Sequence, residues 1–201
     1  LTFQEEPSID ILPDFDYACY GDPFPFAGLV DAENYSTVQW FTTNGGGVYD
    51  DENILEPTYF PSSTIDWVQG CVILGVTASA IDPCVVADED FMDLIFVAAP
   101  TAFAGDPAGF CADVAVDYNF ADALVTFHDM TPYPTCQGIT NTILWESTGD
   151  GMFDDATMQN PTYTFGPDDL ALGGQIDFTL TATTEEACDP AVSITSINIQ
   201  L

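Results

Sequence analysis

The chain has 201 residues, of which 33 are Asp or Glu and none is Lys or Arg, for a formal charge of -33, whereas an average chain of this length carries roughly twenty basic residues. With 47% hydrophobic and 13% aromatic residues, it has apolar mass for one large or two small cores and is globular, not a disordered acidic tail. The charge rules out ion pairs to Lys or Arg and disfavours nucleic acid and anionic membranes as partners, and no apolar run approaches the roughly 18 residues of a transmembrane helix.

In chain order, residues 1–6 read as the end strand of a preceding repeat or a linker, because Leu1-Thr2-Phe3 and Pro7 match Leu94-Ile95-Phe96 and Pro100 at an offset of 93. The chain is thereby expected to be a segment of a longer polypeptide. Residues 7–98 form a first domain, with strands predicted over 38–43, 58–60, 72–78 and 90–97 and a turn at Asn44-Gly45-Gly46-Gly47. Residues 99–201 form a second, with strands over 142–148, 162–165, 176–182 and 192–201 and turns at Gly149-Asp150-Gly151, Gly166-Pro167 and Asp189-Pro190. Ile176, Phe178, Leu180 and Ala182 alternate with Gln175, Asp177, Thr179 and Thr181, the period of a half-buried strand. Residues 63–68 and 167–172 each leave room for one helical turn.

The two domains are copies. Residues 41–84 align without a gap on 145–188 at an offset of 104, setting Gly45, Gly47 and Tyr49 on Gly149, Gly151 and Phe153, Asp50-Asp51 on Asp154-Asp155, Pro57-Thr58-Tyr59 on Pro161-Thr162-Tyr163, and Cys84 on Cys188. This alignment puts Phe41 in the place of Trp145, with Trp40 displaced by one position. Cys111 and Trp145 are 34 residues apart against 22 for Cys19 and Phe41, which predicts an insertion in the second copy near 119–138. The expected fold is all-β, two tandem immunoglobulin-like antiparallel β-sandwiches.

Trp145, Gly149-Asp150-Gly151, Asn160-Pro161-Thr162-Tyr163-Thr164 and Phe178-Thr179-Leu180-Thr181-Ala182-Thr183 resemble the sequence blocks of PKD domains, which are immunoglobulin-like sandwiches. The layout of both copies is similar to the PKD-like repeats of large Bacteroidota cell-surface (SprB-like gliding) adhesins, and Pro100-Thr101-Ala102-Phe103-Ala104-Gly105 resembles the linker before such repeats. Phe41, the insertion and two extra cysteines depart from that pattern. The resemblance, which covers nearly the whole chain, implies type IX secretion and display in a long surface filament that serves attachment or gliding. Neighbouring repeats would be partners, together with a surface polysaccharide or another cell-surface protein.

Six cysteines without a CxxC pair suit an oxidised, extracellular framework. Cys19 with Cys84 and Cys111 with Cys188 occupy equivalent places in the repeats and are predicted as intradomain disulfides. Cys71 and Cys136 have no counterparts and are predicted to pair across the domain boundary; two separate thiols, or a bond to another chain, are the alternatives. Asp150, Asp154 and Asp155, with Asp50, Asp51 and Glu52 in the first copy, cluster around Gly-rich turns, either as a Ca²⁺ site or as a solvated acidic turn without a required cofactor. Trp145 is expected in the core, and Asn34-Tyr35-Ser36 matches the N-glycosylation triplet. His128 is the single histidine and no nucleophile motif is present, so no catalytic residues are expected. The leading functional reading is a structural and adhesive repeat. A carbohydrate-binding accessory module of a secreted hydrolase, or a self-assembling fibre with Ile73 at a contact, are its rivals.

Overall fold

In the computed structural model, residues 4–113, 115–127, 139–185 and 187–201 are described. The described residues divide between Ala98 and Ala99 into two compact units, each with its own core. The first contains β1 (Ser8–Ile11), β2 (Phe15–Cys19), β3 (Phe24–Pro25), β4 (Val30–Glu33), β5 (Tyr35–Thr42), β6 (Val48–Tyr49), β7 (Thr58–Phe60), α1 (Asp66–Gln69), β8 (Cys71–Ala80) and β9 (Ala87–Val97). The second runs through the same order: β10 (Thr101–Phe103), β11 (Ala108–Cys111), β12 (Asp117–Asn119), β13 (Leu124–Thr126), β14 (Asn141–Ser147), β15 (Met152–Phe153), β16 (Thr162–Thr164), α2 (Pro167–Leu172), β17 (Gly174–Thr184) and β18 (Ala191–Gln200).

Each unit has a four-stranded sheet, β2-β9-β8-β5 or β11-β18-β17-β14, opposed by smaller pairings, β1-β4 with β3-β7-β6 or β10-β13 with β12-β16-β15. Among the described residues, all pairs are antiparallel except β2 with β9 and β11 with β18, which are parallel. The period-two pattern decides which face is inside. Val72, Leu74, Val76 and Ala78 on β8, and Ile176, Phe178, Leu180 and Ala182 on β17, are all buried. The predicted one-turn helices both form, α2 with Pro167 at its first turn, where the missing N–H is not needed.

β12 and β13 pair as β3 and β4 do, so they belong to the common frame of the repeat. The added length of the second unit therefore lies outside β12 and β13, and the rest of the predicted 119–138 falls largely outside the described residues. In the first unit a single residue, Asn34 at φ 58°, joins β4 to β5; asparagine is one of the few residues that take this left-handed conformation readily.

Candidate functional site

The aromatic cores show how closely the copies correspond. Phe26, Trp40, Tyr49 and Tyr59 stack with centroid separations of 4.1, 5.7 and 5.0 Å between successive rings. Phe120, Trp145, Phe153 and Tyr163 repeat the series at 4.4, 6.0 and 5.1 Å. Trp40 donates its indole N–H to Ile54 O at 3.0 Å and Trp145 donates to Met158 O at 3.1 Å. Trp40 also faces Val76 across the sheet, as Trp145 faces Leu180. Trp40 is thus the counterpart of Trp145, which corrects the alignment that gave this place to Phe41. The first unit holds one more residue than the second between its tryptophan and the glycine turn, and a gap-free alignment anchored on the glycines hides it. Phe41 instead lies on the outer face, where it meets Phe91 edge-on at 5.8 Å over Gly75.

Beneath each glycine turn sits a buried aspartate that the sequence reading did not single out. Asp66, fully buried, accepts hydrogen bonds from Tyr59 Oη at 2.6 Å, Ser62 N at 2.8 Å and Gly46 N at 2.6 Å. Tyr59 Oη in turn accepts from Gly47 N at 3.1 Å. In the second unit Asp169 accepts from Tyr163 Oη at 3.0 Å, Gly166 N at 3.1 Å and Asp150 N at 3.1 Å, and Tyr163 Oη accepts from Gly151 N at 2.8 Å. Here the buried charge is met by hydrogen-bond donors from backbone and tyrosine, since the chain has no Lys or Arg. Burial, then the Asp66 carboxylate, pushes the Tyr59 hydroxyl far above the usual phenol range, and Tyr49 rises for the same two reasons. Glycine is required at the turn because a Cβ on Gly151 would meet the Thr164 carbonyl and the Tyr163 ring.

Five of the six carboxylates read around the candidate metal site, all but Glu52, hold turns together. Asp50 Oδ1 accepts from Asp51 N and Thr58 N, and Asp154 Oδ1 from Asp155 N and Thr162 N, each at 2.8 Å. Asp51 accepts from Asn53 N and Asp155 from Thr157 N, both at 2.9 Å. Asp150 accepts from Asp169 N at 2.9 Å and Asp168 N at 3.0 Å, at the first turn of α2. These donors favour the ionised form. They hold Asp50, Asp150 and Asp155 below the usual carboxylate range, through Thr58 N–H, Asp168 N–H and the Thr157 hydroxyl respectively. Among the described residues, no three His, Cys, Asp or Glu side chains converge to hold a metal ion.

The cysteines depart from the predicted pairing. Cys19, Cys71 and Cys188 are disulfide-bonded, whereas Cys84 and Cys111 are free thiols. Neither Cys19–Cys84 nor Cys111–Cys188 therefore forms, and a physical reason is visible within each unit. Cys19 pairs with Val97 at the end of β9, while Cys84 precedes the start of that strand; the two lie at opposite ends of the sandwich. Cys111 pairs with Gln200 and is separated from Cys188 by the length of β18 in the same way. Cys136 and His128 lie outside the described residues, and with them the predicted Cys71–Cys136 bond. Cys71 itself is buried at 8% exposure, and Ile73, two residues on, is 36% exposed.

Among the described residues, one depression of about 480 Å³ lies beside Trp40, Phe41 and Tyr49, and another of about 270 Å³ beside Gly149, Asp150 and Asp168. The outer face of the second unit's larger sheet carries Leu144, Val192 and Ile194, all exposed. Among the described residues, no helix is long and apolar enough to cross a membrane.

No protein-family model and no curated protein matches the sequence. Solved structures do match. The three N-terminal domains of the Highly Immunogenic Outer Capsid protein (Hoc) of bacteriophage RB49 align with a TM-score of 0.57 at 8% identity, over 98% of this chain and 70% of that one. The I-band fragment I67–I69 of titin aligns with a TM-score of 0.50 at 15% identity, over 97% of this chain and 66% of that one. The chain thus spans about two thirds of each. At such identities the likeness shows the fold alone, and that fold is a tandem pair of immunoglobulin-like domains.

Proposed function

We propose that the chain is a non-catalytic structural and adhesive segment of a longer extracellular polypeptide, in which successive immunoglobulin-like repeats extend a surface filament used in attachment or gliding. The observation that carries this reading is the element-by-element equivalence of the two units, each with its own aromatic core and its own Tyr–Asp turn. Repeats of this kind stack as semi-independent units and gain reach with copy number. Disulfide-bonded cysteines support an oxidising compartment, and a surface without basic residues favours cationic or neutral partners, a polysaccharide among them.

Force spectroscopy of the 201-residue chain between molecular handles tests the proposal. With disulfides reduced, two separate unfolding events are expected, each releasing roughly 300 Å of chain at about 3.4 Å per residue. A single event, or smooth extension without events, overturns it. Turnover of a glycoside substrate by the isolated chain would overturn the non-catalytic part.

A further inference from the structure

Equivalent cysteines of the two repeats are in different states. Cys19 closes β2 beside Val97, and the following Tyr20 N donates to Val97 O at 2.7 Å. Cys111 closes β11 beside Gln200, and the following Ala112 N donates to Gln200 O at 2.8 Å. These are one position in two copies. Cys84 and Cys188 are the other such pair, in the β8–β9 and β17–β18 connections, each three residues before the last strand begins at Ala87 or Ala191. Within a unit, that last strand separates the two positions. With 11 residues in β9 and 10 in β18, at about 3.3 Å per residue they lie roughly 30–40 Å apart. Every repeat therefore carries a head position, that of Cys84 and Cys188, and a tail position, that of Cys19 and Cys111. One member of each pair is disulfide-bonded, Cys188 at the head and Cys19 at the tail. The other member is a free thiol, Cys84 half-buried and Cys111 exposed.

We propose that Cys111 and Cys84 are the open halves of a head-to-tail disulfide between successive copies of this repeat, the tail thiol of one copy joining the head thiol of the next. The proposal rests on the reading of the chain as a repeat unit. Its second support is internal: the same two positions already bond another sulfur in the sibling repeat. The link also answers a physical need, because copies bearing 33 acids and no base repel each other, and no ion pair to Lys or Arg can hold neighbours together. The oxidant is a small-molecule disulfide. The Cys111 thiolate attacks it, forming a mixed disulfide and releasing one small thiolate. The Cys84 thiolate of the next copy then attacks the Cys111 sulfur and releases the second. Two protein thiols become one cystine, the small disulfide is reduced to two thiols, and the two protons lost by the cysteines end on those thiols.

The test uses Cys84→Ser and Cys111→Ser variants of the whole chain, checked for native circular dichroism and treated with oxidised glutathione at high ionic strength. The unmodified chain is expected to give a ladder of multimers under non-reducing conditions. Each variant alone stays monomeric, and an equimolar mixture gives at least a tenfold excess of dimer over either alone. Cleavage at Asp residues, needed because trypsin has no Lys or Arg to cut, then yields one Cys84–Cys111 linked peptide. Equal dimer in mixture and single variants, symmetric Cys84–Cys84 or Cys111–Cys111 peptides, or glutathione adducts without dimer overturn the proposal. Two unfolding events under force combined with any of those results would leave the repeat reading standing and remove this inference.

Discussion

Replacing Tyr59 by Phe removes one oxygen atom that is bonded on both sides. In the folded first unit it donates to the fully buried Asp66 carboxylate at 2.6 Å and accepts from Gly47 N at 3.1 Å. A hydrogen bond to a charged acceptor contributes about 1.5–3 kcal/mol, and an orphaned backbone donor costs about 1 kcal/mol or more. The expected loss is about 3 kcal/mol, which for a domain of this size lowers its melting temperature by roughly 10–20 °C. Scanning calorimetry resolves the effect because the two units have separate cores: Tyr59→Phe moves one transition, and Tyr163→Phe moves the other. The second shift should be smaller, since the Tyr163–Asp169 contact is longer at 3.0 Å and Asp169 is less completely buried than Asp66. Alkali gives an independent reading. A tyrosine raised in the folded state contributes stability that is fully present below its unfolded value near 10 and is lost as pH rises through the folded value. With Tyr59 and Tyr49 both raised, the first unit should weaken steadily above about pH 10, and less so in Tyr59→Phe. A Tyr59→Phe chain within about 0.5 kcal/mol of the parent would refute the reasoning.

Glycine substitutions should separate the turn from the sheet. Gly151→Ala forces a Cβ against backbone at Thr164 and should cost about 2 kcal/mol or more, whereas Gly75→Ala meets only the ring tips of Phe41 and Phe91 and should change stability by less than about 1 kcal/mol; denaturant titration ranks them, and the reverse order would count against this account. Because the chain carries 33 acids and no base, its melting temperature should rise with ionic strength, and no change from about 10 mM to 500 mM salt would contradict that. In low salt, stability should peak near pH 4–5. Protonation below neutrality relieves repulsion, whereas the depressed Asp50, Asp150 and Asp155 contribute stability present above their unfolded value and lost as pH falls through their folded ones. A steady rise in stability from pH 3 to pH 7 would contradict this. Alkylation of the native chain without reduction should label Cys84 and Cys111 while sparing Cys19, Cys71 and Cys188, as peptide mapping will show.

The long strands were legible because they span 10 or 11 positions: β17 and β18 alternate apolar and polar residues over most of their length, while β8 and β9 combine an alternating half with an apolar run, 71–76 and 94–97. β3, β6, β12 and β15 have two or three residues each and offer no period to read. Asp66 and Asp169 were hidden by their surroundings, since one aspartate among so many carries no signal. They also fall out of register at the offset of 104, which sets Asp66 on Leu170. What could have found them is the recurrence of Tyr followed by Asp, at 59 and 66 and at 163 and 169, below a glycine turn whose N–H groups need acceptors. The acidic clusters at Asp50 and Asp154 were visible, but carboxylates that cap turns and carboxylates that bind cations share one sequence pattern. The hydrogen bonds that these carboxylates accept from neighbouring N–H groups leave no mark in the sequence. The cysteine pairing failed for a related reason. Equivalent position in two repeats says nothing about which end of the sandwich a residue occupies.

The parallel pairing of β2 with β9, and of β11 with β18, has a consequence for a chain under tension. Phe15–Cys19 lies alongside Asp93–Val97, and Ala108–Cys111 alongside Ile197–Gln200, with both strands of each pair running the same way. Once β1 or β10 has been passed, load reaches the start of the earlier strand and leaves from the end of the later one, so the two are drawn past each other lengthwise. Their hydrogen bonds lie across that direction and share the shear at once, instead of parting one by one as in a peeled hairpin. Yielding at this point then requires the whole patch to slip together.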